Sequence, residues 1–163
     1  MSEYKDTIVE KYLDLIKDNT TTIKGFYNGM VGKIPASMLP AVILTIEGAE
    51  AESLSNSEDE HRLSMLLIYV ADVRQSLNDS ALVNNFNRVL DALMGRDSNY
   101  SLKSTSLLYI LRNNLNVDIT NNLRTDVGSF SVVTPSEIST GRFPGFYSVE
   151  GTIRFNAHFY QER

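Results

Sequence analysis

The chain has 163 residues, 42% of them hydrophobic and 21% charged, with a formal net charge of −5 and no cysteine. Length and composition fit one folded domain rather than a disordered chain, and the absence of thiols excludes disulfides, thiolate zinc sites and cysteine nucleophiles. The acidic balance argues against a protein that coats nucleic acid; residues 36–46, the longest apolar run, are too few for a membrane span, and Glu3, Lys5 and Asp6 do not open a signal peptide. A soluble protein is expected.

In residues 3–17, Ile8, Tyr12, Leu15 and Ile16 fall at i, i+4, i+7 and i+8 among Lys5, Asp6, Glu10, Lys11, Asp14 and Lys17, which predicts an amphipathic helix. Asn19 and the threonines 20–22 end it, and Gly25, Gly29, Gly32, Pro35 and Pro40 predict an irregular connection over residues 25–40. The β-branched run AVILTI, 41–46, predicts a strand with Pro40 at its start, where a missing donor does least harm. Residues 48–61, GAEAESLSNSEDEH, are small, polar and acidic and read as a solvated loop. RLSMLLIYVADVR, 62–74, predicts a second strand that pairs with the first as an antiparallel hairpin.

Leu82, Phe86, Val89, Leu90 and Leu93 keep a helical period, with Asp79 or Ser80 as the cap and Gly95 as a left-handed stop. Over residues 96–125 the pattern reads as a short helix through Leu107, Leu108, Ile110 and Leu111, followed by a strand from Leu115 to Thr120. SFSVVT, 129–134, predicts a strand, and a turn-rich stretch with Pro135, Gly141, Pro144 and Gly145 follows. Residues 149–160 alternate, with Ile153, Phe155, Ala157 and Phe159 on one face and Thr152, Arg154, Asn156 and His158 on the other, as a half-exposed strand does. The order predicts a single α+β domain over residues 1–163, with a mostly antiparallel sheet packed against two principal helices.

The residues offer no catalytic constellation, so no enzyme activity, cofactor or metal is expected. His61 follows Glu58, Asp59 and Glu60, but neighbours on a loop do not converge on one ion, and a solvated loop tip is the simpler reading. His158 beside Arg154 has no serine or cysteine motif with it and reads as a surface or interface residue. The spacing of Gly25, Gly29 and Gly32 is not that of a phosphate loop.

Two stretches suggest contacts with other proteins. Glu47, Glu50, Glu52, Glu58, Asp59 and Glu60 fall in one run without Lys or Arg, and removing these six from 20 acidic residues leaves 14 against 15 basic ones. The run therefore carries the whole acidic excess, and reads either as a solubilising loop or as a contact arm bearing Glu50, Glu52, Glu58, Asp59 and Glu60. The turn RFPGFY, with Arg142, Phe143, Phe146 and Tyr147, exposes rings that a subunit interface would cover.

Taken with the element order, IPASMLPAVILTIEGAEAES (34–53), RLSMLLIYVADVR (62–74), SALVNNFNRVLDALMG (80–95) and GFYSVEGTIRFNAHFYQ (145–161) resemble the tail-terminator or tail-completion proteins of long-tailed bacteriophages, the minor tail protein U group among them. Residues 96–125 are longer and more Asn-rich than the family's pattern. The resemblance implies a structural virion protein at the head-proximal end of the tail, made in the host cytoplasm. It implies a six-fold ring of the chain on itself that caps the tail tube, ends its polymerisation and presents a surface for head joining. The implied partners are the tube protein and a neck or head-completion protein, with no membrane and no sequence-specific nucleic acid, though DNA passes through the ring. A neck or head-completion connector in the same virion is the alternative, and a small ligand-binding protein or hydrolase the reading from another class.

Overall fold

A computed structural model describes residues 4–29, 31, 33–53, 58–72, 81–133 and 148–162. The elements are α1 (Tyr4–Asn19), β1 (Gly25–Asn28), a 3₁₀ turn (Ala36–Met38), β2 (Ala41–Ser53), β3 (Glu58–Asp72), α2 (Ala81–Met94), α3 (Leu107–Arg112), β4 (Asn116–Asp118), β5 (Leu123–Thr125), β6 (Ser131–Val133) and β7 (Ser148–Glu162). The fold is α+β with a mostly antiparallel sheet, as the pattern predicts. Among the described residues the sheet has seven strands in the order β1-β2-β3-β7-β5-β4, and β6 pairs with β7 beside β5. One pairing, β1 with β2, is parallel.

The first helix forms where expected, but its buried stripe is Ile8, Val9, Tyr12, Leu13 and Ile16, with Leu15 at the margin. Helical periodicity allows both choices, and the sheet beneath selects the stripe centred on Tyr12. Residues 25–40 are not wholly irregular. GFYN forms β1, too short a strand to stand out between glycines, and β2 supplies its backbone partners from Ala41 to Leu44. In α2, Val89 and Leu93 are buried against β7 and Leu90 is half-buried, whereas the proposed cap residues Asp79 and Ser80 and the side chains of Leu82 and Phe86 lie outside the described residues. Gly95 is not left-handed. Its N–H donates to the Asp91 carbonyl at 3.0 Å, and a Cβ there would approach that oxygen to 2.6 Å, so close packing rather than a positive φ requires glycine. The short helix expected near Leu107 is α3, capped by Ser106, whose Oγ accepts from the Tyr109 N–H at 3.3 Å; the strand expected after it narrows to β4.

Both faces of the central strands are buried. Toward the helices, Val42 and Leu44 of β2, Leu63, Met65, Leu67, Tyr69 and Ala71 of β3, and Ile153, Phe155 and Ala157 of β7 join α1, α2 and α3 in one core. On the opposite face Ala41, Ile43, Leu66, Ile68 and Val70 pack under Ile34 and Leu39. Two-sided burial explains why residues 41–46 and 65–71 are nearly continuous apolar runs rather than alternating ones. β7 alternates because its other face carries the exposed Arg154 and Asn156 and contributes no residue to the cluster under Ile34 and Leu39.

Candidate interaction surface

Residues 48–53 and 58–61 of the acidic stretch form strands rather than a loop. β2 continues to Ser53 and β3 begins at Glu58, paired in register from Gly48–Ser64 to Ser53–Asp59, so most of the predicted loop is a two-stranded extension of the hairpin. β7 supplies the third strand, running antiparallel to β3 along its whole length from Asp72–Ser148 to Glu58–Glu162. Composition alone favours solvated coil here; a ladder with the chain's last strand, roughly a hundred residues away in sequence, overrides it. The result is a three-stranded arm continuous with the core.

Its two faces differ. A register shift between Ile46 and Gly48 resets the alternation of β2, leaving Glu47 at the irregularity, where its carboxylate accepts from Arg154 Nε at 3.2 Å and Nη2 at 3.4 Å. Beyond it Ala49 and Ala51 share the helix-side face with Leu63 and His61, while Glu50 and Glu52 lie on the opposite face against Arg62 and Glu60. On that opposite face Glu50, Arg62, His158 and Arg124 form a row across β2, β3, β7 and β5. Arg62 reaches along its own strand to Glu60, with Nε–Oε1 3.3 Å and Nη2–Oε2 3.2 Å. The hydrogen bond and then the charge of Glu60 hold the Arg62 guanidinium more firmly protonated, and Glu52 and Asp126 add to this. His158 Nδ1 lies 2.6 Å from Asp126 Oδ1.

On the helix side, His61 stacks on Phe159 with centroids 4.6 Å apart and an interplanar angle of 3°, and Tyr4 sits 6.0 Å from the same ring. His61 is therefore half-buried and not a solvated loop tip. These rings wall a cleft of about 670 Å³, closed on its other side by Lys11, Asp118 and Asn121. Asn121 Nδ2 donates to Asp118 Oδ2 at 2.7 Å, and chiefly this bond, with Lys11 4.0 Å away, lowers the Asp118 carboxyl below its ordinary value.

The five acidic contact candidates thus do not form one patch. Glu50 and Glu52 are exposed, Glu58 and Asp59 are half-buried, Asp59 accepts from Ser53 Oγ at 3.1 Å on the helix side, and Glu60 is only 9% exposed beside Arg62. Arg142, Phe143, Phe146 and Tyr147 lie outside the described residues. Arg62, Arg154 and Asp126 were not singled out by sequence reasoning; the available signal was that Arg62 lies two residues after Glu60, the spacing of a same-face neighbour along a strand. Among the described residues no group of three or more His, Cys, Asp or Glu is placed to hold a metal ion, and no helix is long and apolar enough to cross a membrane. The chain matches no protein-family model and none of the curated proteins.

Proposed function

We propose that the chain is a structural protein of a long-tailed phage virion, which caps the tail tube, ends its polymerisation and offers the surface for head-to-tail joining. The observation that carries the reading is the arm: residues 47–53 of β2 are exposed yet held in a three-stranded ladder that runs straight into the two-sided core. An extension of this kind transmits a contact to a rigid body, whereas a solubilising loop needs no ladder. Three of the four stretches that resemble the tail-terminator family cover β2, β3 from Arg62 onward and most of β7, so they supply two of the arm's three strands and part of the third. Assembly as a ring follows if one patch of each copy meets a different patch of the next and the rotation closes after six copies.

The test is electron microscopy of particles made with an early stop codon in this gene. Overlong, unjoined tails beside filled heads are expected. Tails of normal length that fail to attach would move the chain to the neck, and intact virions would overturn both placements. The cleft beside Tyr4 and Phe159 favours a second reading, a small-ligand binder, because about 670 Å³ is within the range of ligand pockets. A ligand at 100 times its dissociation constant would then stabilise the fold by about 2.7 kcal/mol in a thermal unfolding screen.

A further inference from the structure

We infer that the outer edge of β2 over residues 45–52 is a strand-addition site for an extended segment that alternates basic and apolar side chains. β1 covers that edge only as far as Leu44, where the Gly29 N–H closes the pairing on the Leu44 carbonyl at 2.8 Å. From Thr45 to Glu52 β2 stays hydrogen-bonded to β3 on its inner side, while no described strand and no described backbone hydrogen bond reaches its outer side. A preformed edge of this length, about 24 Å at strand rise, presents alternate N–H and C=O groups to any extended chain.

The side chains determine which chain fits. Glu50 and Glu52 are exposed on one face, so the incoming strand meets two carboxylates spaced i and i+2, while Glu60, the nearest other acid on that face, is held by Arg62. Ala49 and Ala51 on the other face are small, leaving the incoming strand's opposite side chains room against Leu63 and the His61–Phe159 stack. Residues 45–52 contain Glu47, Glu50 and Glu52 and no Lys or Arg. Lys or Arg opposite the glutamates, with apolar residues between them, satisfies both faces at once.

A second copy of the chain is the poorer occupant. Its own β2 edge brings like charges together, and β1, β4 and β6 offer only three or four residues each. The inference concerns the arm of the proposed function but rests only on the edge, so its test is independent of any place in a virion.

The experiment titrates the full chain with a capped peptide of the same length alternating Lys and Val, read by amide chemical shifts and amide exchange. Shifts centred on residues 45–52, with slowed exchange of alternate amides there, are expected. N-methylation of the peptide's β2-facing amides, or Glu in place of each Lys, should weaken binding by about ten-fold or more. The double variant Glu50→Gln/Glu52→Gln should weaken it by about five-fold or more while melting as the parent does, because both positions are exposed. Equal binding of the N-methylated peptide would reduce the effect to surface charge and overturn the inference. So would shifts centred on the Tyr4–Phe159 cleft, no binding at millimolar peptide, or alternate amides already protected in the free chain by another segment or copy.

Discussion

The two halves of the β2–β3 hairpin share one ladder and differ in almost everything else. In the inner half, Ala41, Val42, Ile43 and Leu44 pair with Val70, Tyr69, Ile68 and Leu67, and all eight are buried. In the outer half, Gly48–Ser53 is exposed throughout and pairs with a strand whose remaining buried members are Leu63 and Glu60. Backbone pairing thus does not distinguish core from contact surface; the side chains decide whether the same strand is sealed by apolar layers or left for a partner. Stability belongs to the inner half, and the outer half is held by its ladder and by ion pairs at its margin.

Truncating Leu67, wholly buried in the core on the helix side of the sheet, should separate the halves most sharply. Leu67→Ala is expected to cost about 2–5 kcal/mol in urea unfolding, whereas Glu50→Gln should stay within about 0.5 kcal/mol of the parent. The inner half also depends on how closely α2 crosses β7 at Gly151, where an added Cβ would come within 2.6 Å of Val89 Cγ1. Gly151→Ala should cost about 1–3 kcal/mol and loosen the contact between α2 and β7. Equal melting of parent and variant would show that the helix shifts freely.

Alkaline titration reads the same core through two phenols. Burial is the largest influence on both and raises them: Tyr69 is pushed up to about 12, and Tyr12, whose hydroxyl bonds Thr125 Oγ1 at 2.5 Å, goes higher still. The folded state therefore keeps protons that the unfolded chain releases from about pH 10 upward. Their stabilisation is complete below pH 10 and is lost as pH rises toward 12 and beyond, by up to about 1.4 kcal/mol per pH unit for each phenol. Tyr12→Phe should cost about 1 kcal/mol at neutral pH, because it leaves Thr125 without its partner, and should make the alkaline loss shallower. Stability that is flat from pH 10 to 12 would contradict the burial of both rings.

The smallest effect is expected in the arm and has the opposite sign. Glu52 and Glu60 face each other across the ladder, so Glu52→Lys should stabilise the protein by about 0.2–1 kcal/mol, and the gain should shrink in high salt. A loss instead would mean that the attraction between Glu52 and Arg62 outweighs the repulsion between Glu52 and Glu60.

Much of the inner half was legible in advance. α1, the β-branched run of β2, the apolar run of β3, α2 and the alternation of β7 all follow from local periodicity, and together they fixed the α+β class. The outer half was misread because GAEAES and SEDEH carry the composition of a loop, and nothing within them records that β7 would run alongside. The acidic run looked like one patch for a related reason: neighbours along a strand project to opposite faces, so Asp59 and Glu60 part company once the ladder forms.

By itself the sequence determined which segments seek burial, where along the chain the helices lie, and that acid accumulates in one stretch, since these depend on residue type and on neighbours within a few positions. Only the tertiary structure decided that β1 lies parallel to β2, that β7 converts the acidic stretch into an arm, that Glu60 pairs with Arg62 while Glu50 and Glu52 face solvent, and that His61 stacks on Phe159. Each of these is a pairing between strands or a side-chain choice made after pairing. Such contacts are set by the competition of whole strands for one sheet rather than by any local pattern.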